Sequence, residues 1–332
     1  MIFYSLIVLL TILFLYIFRG NIYQIYNIYD YPDKKRKLHE NKTSLSGGLL
    51  ILFGVIFFYL QQSFFKEEFV NNYLNFSQEE LNLFLISSLM IFLVGYLDDY
   101  KNIKPLNKIL LLILVLFFYI FFDKSLIIKE LYFSFTDYKL GLGKFSIFFT
   151  IFSILLFINA YNLFDGIDLQ AGTYALFIFM YLFFLTNLNY SLIPFIFFLL
   201  FFLKLNLKKE IFLGDAGSLL TSFILSYFII KTFNKNENLF FCDQIFIIMI
   251  LPGIEMLRLF INRIYNGTNP FKPDRNHLHH ILSANRNQYF AFSVIFLLYS
   301  APVMMMILKI STIFSLFTFL LIYTFLLYFK FK

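Results

Sequence analysis

Runs of Leu, Ile, Phe and Val, each about as long as a helix that crosses a bilayer, recur from one end of the chain to the other. They begin near residues 2, 47, 81, 106, 145, 169, 188, 216, 244, 288 and 311. A spanning helix needs roughly 20 predominantly apolar residues. The pattern therefore predicts an all-α polytopic membrane protein of about 11 transmembrane helices, forming a single integral membrane domain over residues 1–332. Composition points the same way. Of the 332 residues 60% are hydrophobic and only 14% charged, with 51 Phe. A soluble domain cannot hide that much apolar surface. The run near 190 is short and contains Pro194, and only Asn187-Leu188-Asn189 separates it from the run before, so the two predict a tight hairpin. The first 18 residues carry no basic leader and no A-x-A cleavage site, and read as a retained first span. The single Cys242 excludes an internal disulfide framework.

Orientation follows from the basic residues of the connections. With the N-terminus outside and the C-terminus cytoplasmic, 19 of the 27 Lys and Arg residues fall on the inner side. The acidic and histidine-rich motifs were not used in that count, yet they fall on the same side. Asp98-Asp99 opens one inner connection, Asp165 and Asp168 form another, Asp215 ends a third, and "PDRNHLHH" lies in the longest. This predicts one composite active site on the cytoplasmic loops.

Each motif has a chemistry and a plainer alternative. Asn159, Asn162, Asp165 and Asp168 recur every three residues at the end of an apolar run, so on a helix they form a slowly drifting stripe. Carboxylate and amide oxygens beside Gly166 suit Mg²⁺, a hard ion that keeps places for water and phosphate oxygens. The alternative is an interhelical hydrogen-bonding stripe. Asp98 and Asp99 are adjacent carboxylates that are best held beside a cation, and Lys101, Lys104 and Lys108 follow at once. In "FLGDAGS" Asp215 could hold a metal, or Asp215 or Ser218 could simply cap the following span. His277, His279 and His280 lack the i, i+4 spacing of a helical zinc pair. With Arg275 and Lys272 they fit a diphosphate better. His39, Lys42, Thr43 and Gly47-Gly48 complete the set.

Taken in order, from His39 to His280, these motifs resemble the polyprenyl-phosphate N-acetylhexosamine-1-phosphate transferase family, glycosyltransferase family 4. "NAYNLFDGIDLQAG" is similar to its N-x-x-N-x-x-D-G-x-D-G-L stretch, "GYLDDY" to its DD motif and "FLGDAGS" to its F-x-G-D-x-G-S. "PDRNHLHH" resembles the WecA- and TagO-like branch that starts O-antigen, enterobacterial common antigen or teichoic acid. The MraY-like peptidoglycan branch, whose donor is UDP-N-acetylmuramoyl-pentapeptide, has three consecutive histidines. The resemblance implies transfer of a sugar-1-phosphate from a UDP-sugar to undecaprenyl phosphate, with UMP leaving and Mg²⁺, or Mn²⁺ in its place, as cofactor. It implies Asp215 as principal metal ligand with Asp165 beside it, and Asp98 aligning or deprotonating the lipid phosphate. It further implies Asp99, Asn162, Asp165 and Asp168 shaping the metal and nucleotide site, with Thr43, Asn159, Lys101, Lys108, Arg275 and the three histidines contacting substrate. The expected setting is the bacterial inner membrane and its lipid, with a homodimer allowed and no nucleic-acid partner. Four positions depart from the family: Leu169 replaces a Gly, "TSLSGG" lacks a proline, Leu112 stands for a Gln, and Glu255 for an Asp. A proton-coupled transporter is the rival class, but transporters place such residues near the bilayer midplane rather than at span ends.

Overall fold

The computed structural model describes residues 2–32, 42–64, 74–186, 190–235, 239–270, 274, 276–284 and 286–328. Helices dominate. In chain order they are α1 (Ile2–Ile17), α2 (Arg19–Tyr26), α3 (Gly47–Phe64), α4 (Gln78–Lys101), α5 (Pro105–Phe122), α6 (Ser146–Phe164), α7 (Gln170–Leu185), α8 (Ile193–Leu207), α9 (Gly214–Lys235), α10 (Cys242–Tyr265), α11 (Leu278–Ser283), α12 (Gln288–Ile307) and α13 (Thr312–Tyr328). Two small antiparallel pairs accompany them. β1 (Tyr29–Asp30) pairs with β2 (Thr43–Ser44), and β3 (Glu130–Phe133) forms a hairpin with β4 (Thr136–Gly141).

Each of the eleven apolar runs becomes a helix. Among the described residues eight helical segments are long and apolar enough to cross a membrane, or nine if α1 and α2, bent by 71°, are one span. α7 and α13 are apolar but shorter. The chain is thus a multi-pass, all-α membrane protein. Helix ends follow local chemistry. Ser77 and Glu80 form a reciprocal capping box at the start of α4, and Pro105 opens α5, where its missing N–H costs nothing.

The described residues gather into two compact units, one of residues 1–126 and 175–232, the other of 127–174 and 233–332. In the first, aromatic rings supply the core: Phe58 meets Phe76, Phe84, Phe195 and Phe228 at centroid distances of 5.3 to 5.5 Å. The abundant Phe is therefore packing material as well as lipid-facing surface. The most apolar stretch of α9 is wholly buried. In the second unit, buried tyrosines tie backbone to backbone. Tyr174 donates to the Ile248 carbonyl at 2.8 Å and Tyr161 to that of Ala171 at 2.8 Å.

Candidate active site

In the first unit α4, α5 and α9 bring three of the expected residues together. α4 ends at Lys101, and Asn102 takes a left-handed conformation (φ 50°) that turns the chain into α5. Asp98, on the last turn of α4, accepts from the Ile103 amide at 2.7 Å through Oδ1. Its Oδ2 meets Lys108 Nζ at 2.7 Å. Lys108 reaches on to Asp215 Oδ1 at 3.1 Å. One ammonium thus bridges two carboxylates, and Asp98 and Lys108 are both buried. Asp215 is more open, its side chain 32% exposed.

Asp99 does something different from its neighbour. Its Oδ1 accepts from the Asp215 amide at 2.8 Å and its Oδ2 from the Ala216 amide at 3.0 Å. The first amides of α9, which lack partners within the helix, are therefore capped by a carboxylate from another helix. The sequence reading gave that cap to Asp215 or Ser218. Capping from Asp99 leaves the Asp215 side chain to face Lys108. Gly95 lets α4 and α9 approach this closely, because a Cβ there would lie 2.4 Å from the Ala216 Cα. A backbone latch holds the other side of the α9 entrance: Phe212 donates to the Ser44 carbonyl at 2.8 Å, and Gly47 to the Phe212 carbonyl at 3.0 Å. Thr43 is buried on β2 beside this latch, whereas Lys101 is exposed.

The second unit carries the other residues. Asn159 and Asn162 lie on α6, but Asp165 leaves the helix as its C-cap. The stripe therefore ends at Asn162, and Asn159 donates to the Leu155 carbonyl of its own helix at 2.8 Å. Leu169, after Asp168, has φ 70° and accepts from the Thr173 amide at the start of α7. This is the place where the resembled family has Gly, and the backbone there is one that Gly adopts without strain. His279 lies over the Asp-Gly turn so closely that a Cβ on Gly166 would be 2.0 Å from its ring. His277, His279 and His280 form one group, with ring centroids 4.4 to 6.2 Å apart. Burial pushes the His277 imidazole down to about 4 and holds His279 well below the usual histidine range, so both are neutral at physiological pH. They can donate or accept hydrogen bonds but supply no positive charge. Arg275 and His39 lie outside the described residues.

The supporting roles of Glu255 and Arg263 escaped the sequence reading. Glu255, noted only as a departure, is buried on α10 and accepts from the Leu278 amide at 2.9 Å, from Tyr323 at 2.6 Å and from Arg258. Its carboxylate thereby fixes the start of the histidine helix α11. Arg263 donates to Asp274 at 2.7 Å. Burial raises the Asp274 carboxyl, but this guanidinium and the Asn276 amide outweigh it and hold the group below the usual range. Asp274 is thus a brace of the loop before the histidines. The one signal available was an Arg and a Glu inside an otherwise apolar run, which membranes tolerate only when paired.

The model of glycosyl transferase family 4 matches residues 81–233, which include both Asp pairs and Asp215. The chain is also similar to curated proteins named undecaprenyl-phosphate alpha-N-acetylglucosaminyl 1-phosphate transferase. That of Escherichia coli (strain K12) is 28% identical over 287 residues, covering 83% of this chain and 74% of that protein. That of Salmonella typhi is 27% identical over 288 residues with the same coverage. That of Yersinia pestis is 26% identical over 265 residues, covering 74% and 67%.

Proposed function

We infer, from a chain whose residues 81–233 belong to glycosyl transferase family 4, that the protein transfers a sugar-1-phosphate from a UDP-sugar to undecaprenyl phosphate and releases UMP. N-acetylglucosamine-1-phosphate is the group we take first, since the relatives are named for it. The observation that carries the reading is the Asp98–Lys108–Asp215 cluster, built at helix ends and fixed by Asp99.

The chemistry asks little beyond charge and aim. An oxygen of the lipid phosphate attacks the β-phosphorus of the UDP-sugar. The bond from that phosphorus to the bridging oxygen breaks, and UMP leaves with the bridging oxygen and its electron pair. A phosphate monoester has a second pKa of about 6, so most of the acceptor is already dianionic at neutral pH. Asp98 then needs only to orient the acceptor. Lys108, and the exposed Lys101, hold phosphate oxygens as point charges. One diphosphate linkage replaces another, so the reaction runs readily in both directions.

The donor set fits Mg²⁺, or Mn²⁺ in its place. Asp215 offers a hard carboxylate whose side chain is 32% exposed, and Mg²⁺ commonly takes one or two carboxylates, completing its shell with phosphate and water. Asp215 would hold it, and the ion would neutralise charge on the diphosphate. The setting we propose is the bacterial plasma membrane, with eleven spans, the N-terminus outside and the catalytic loops in the cytoplasm. The product there would start a cell-envelope glycan.

The test is UMP release by purified protein given undecaprenyl phosphate, Mg²⁺ and a panel of UDP-sugars. Release with one sugar, abolished by EDTA, is the expected result. Folded protein that releases no UMP from any donor would overturn the reading.

A further inference from the structure

Away from the carboxylates, but in the same compact unit, three cations converge on one aromatic ring. Tyr16 ends the first span, immediately before the 71° bend into α2. Arg19 Cζ lies 4.4 Å from the Tyr16 ring centroid, Lys204 Nζ 4.8 Å and Lys208 Nζ 5.8 Å. Arg19 belongs to the bend, whereas Lys204 and Lys208 sit one turn apart where α8 ends. Glu210 answers one of the three charges, accepting from Arg19 Nε at 2.8 Å. Among the described residues neither lysine has an ion-pair partner. Both lysines are exposed.

Exposed lysines have long, flexible stems and can spread apart to reduce repulsion, yet here they gather. The negative face of the tyrosine offsets part of the repulsion, but two positive charges remain unanswered. The place matters too. A tyrosine at the end of a span marks the headgroup level, and the Lys and Arg count puts the ends of α1 and α8 on the cytoplasmic side. Arg19, its Nε held by Glu210 and its Nη1 by the Tyr16 carbonyl, keeps Nη2 as a donor, and the lysines add two point charges, a set that suits phosphate oxygens.

We propose that Tyr16, Arg19, Lys204 and Lys208 form a binding site for the phosphodiester of an anionic phospholipid of the cytoplasmic leaflet. A bound phosphodiester, with its single negative charge, would offset half of the open charge and be shared by both lysines, tying the first span to the end of α8. The site is separate from the carboxylate cluster and does not depend on which group the protein transfers.

The test compares wild-type protein with the double variant Lys204→Gln/Lys208→Gln, each in nanodiscs of phosphatidylcholine containing a minor fraction of phosphatidylglycerol. Phosphatidylglycerol carried through gentle detergent extraction is then counted by native mass spectrometry. The expected result is at least about a tenfold fall in bound phosphatidylglycerol, since each basic residue near an anionic surface contributes several-fold. Lys204→Arg/Lys208→Arg should retain it. Thermal stability in detergent and UMP release in zwitterionic micelles should not change, which separates this site from the transferase reading. Equal retention in the Gln variant would overturn the proposal. Displacement of the lipid by millimolar inorganic phosphate would overturn the lipid as ligand and assign the site to free phosphate.

Discussion

Asp99 illustrates how a single carboxylate can position a neighbour through the backbone. Both of its oxygens accept backbone amides of α9, those of Asp215 and Ala216, so it sets the position of the residue that would hold the metal. Asp99→Asn keeps one acceptor but turns an NH₂ towards the other amide. The expected outcome is a protein that folds, with kcat lower by roughly 10–100-fold, the usual cost of disturbing a residue that orients a metal ligand, and KM for both substrates little changed. Steady-state kinetics decides it: wild-type kcat would remove the positioning role, and a loss confined to KM would make Asp99 a substrate contact. Leu169 is the opposite case, a residue at odds with its backbone. At φ 70° an L side chain is strained by about 1–2 kcal/mol, of which the greater freedom of unfolded Gly returns a part. Leu169→Gly should therefore raise stability by roughly 0.5–1 kcal/mol. A lower Tm in detergent would mean that Leu169 packing outweighs the strain.

At the scale of helices, the site exists because α4 and α9 touch backbone to backbone. Gly95→Ala places a methyl 2.4 Å from the Ala216 Cα, and overpacking of this kind typically costs about 1–3 kcal/mol. We expect reduced thermal stability together with loss of transfer, since Asp99 would be drawn away from the amides it caps. Unchanged activity would show that the capping bonds tolerate the shift. The short helix α11 gives a pH dependence. His277 titrates at about 4 when folded and near 6.5 when unfolded, because burial, helped by Arg263 and His280, outweighs the upward pull of Glu255 and Asp274. Between those values the unfolded state binds more protons, so stability falls as pH drops from about 6.5 towards 4 and is flat above. Unfolding midpoints across that range, compared with His277→Gln, check the sign; a variant with an unchanged profile would clear His277. These helices were legible in the sequence because apolar runs and the spacing of Asp, Asn and His are local patterns. The bonds that fix the site were not. Asp99 and Asp215 are 116 residues apart, Glu255 and Leu278 23 apart, and no periodicity links one to the other. The stripe from Asn159 failed at Asp165 for a similar reason: three-residue spacing continues through a helix end, while the helix does not.

Across the three helices α4, α5 and α9 the charged clusters sit at the helix ends, where the cost of holding charge in hydrocarbon is avoided. In the first unit α4, α5 and α9 meet at one end through Asp98, Lys108 and Asp215. They meet again at the other end, where Lys231 approaches Glu80 at 2.5 Å and Asp123 at 3.8 Å. Charges gathered at both ends and absent between them mark where each helix leaves the hydrocarbon. The Lys and Arg count predicts that the Asp98 end faces the cytoplasm and that the connection one span later, around residue 137, faces outside. Single cysteines test this, with the native thiol removed as Cys242→Ser. Lys104→Cys precedes α5 and Asp137→Cys lies in the hairpin after it, both at exposed positions. A membrane-impermeant maleimide added to intact cells should label Asp137→Cys at once and Lys104→Cys only after permeabilisation. The reverse pattern would invert the orientation and put the carboxylates on the side away from cytoplasmic UDP-sugars. Labelling of both from the same side would require an even number of crossings between residues 104 and 137. The single helix α5 between them allows only one.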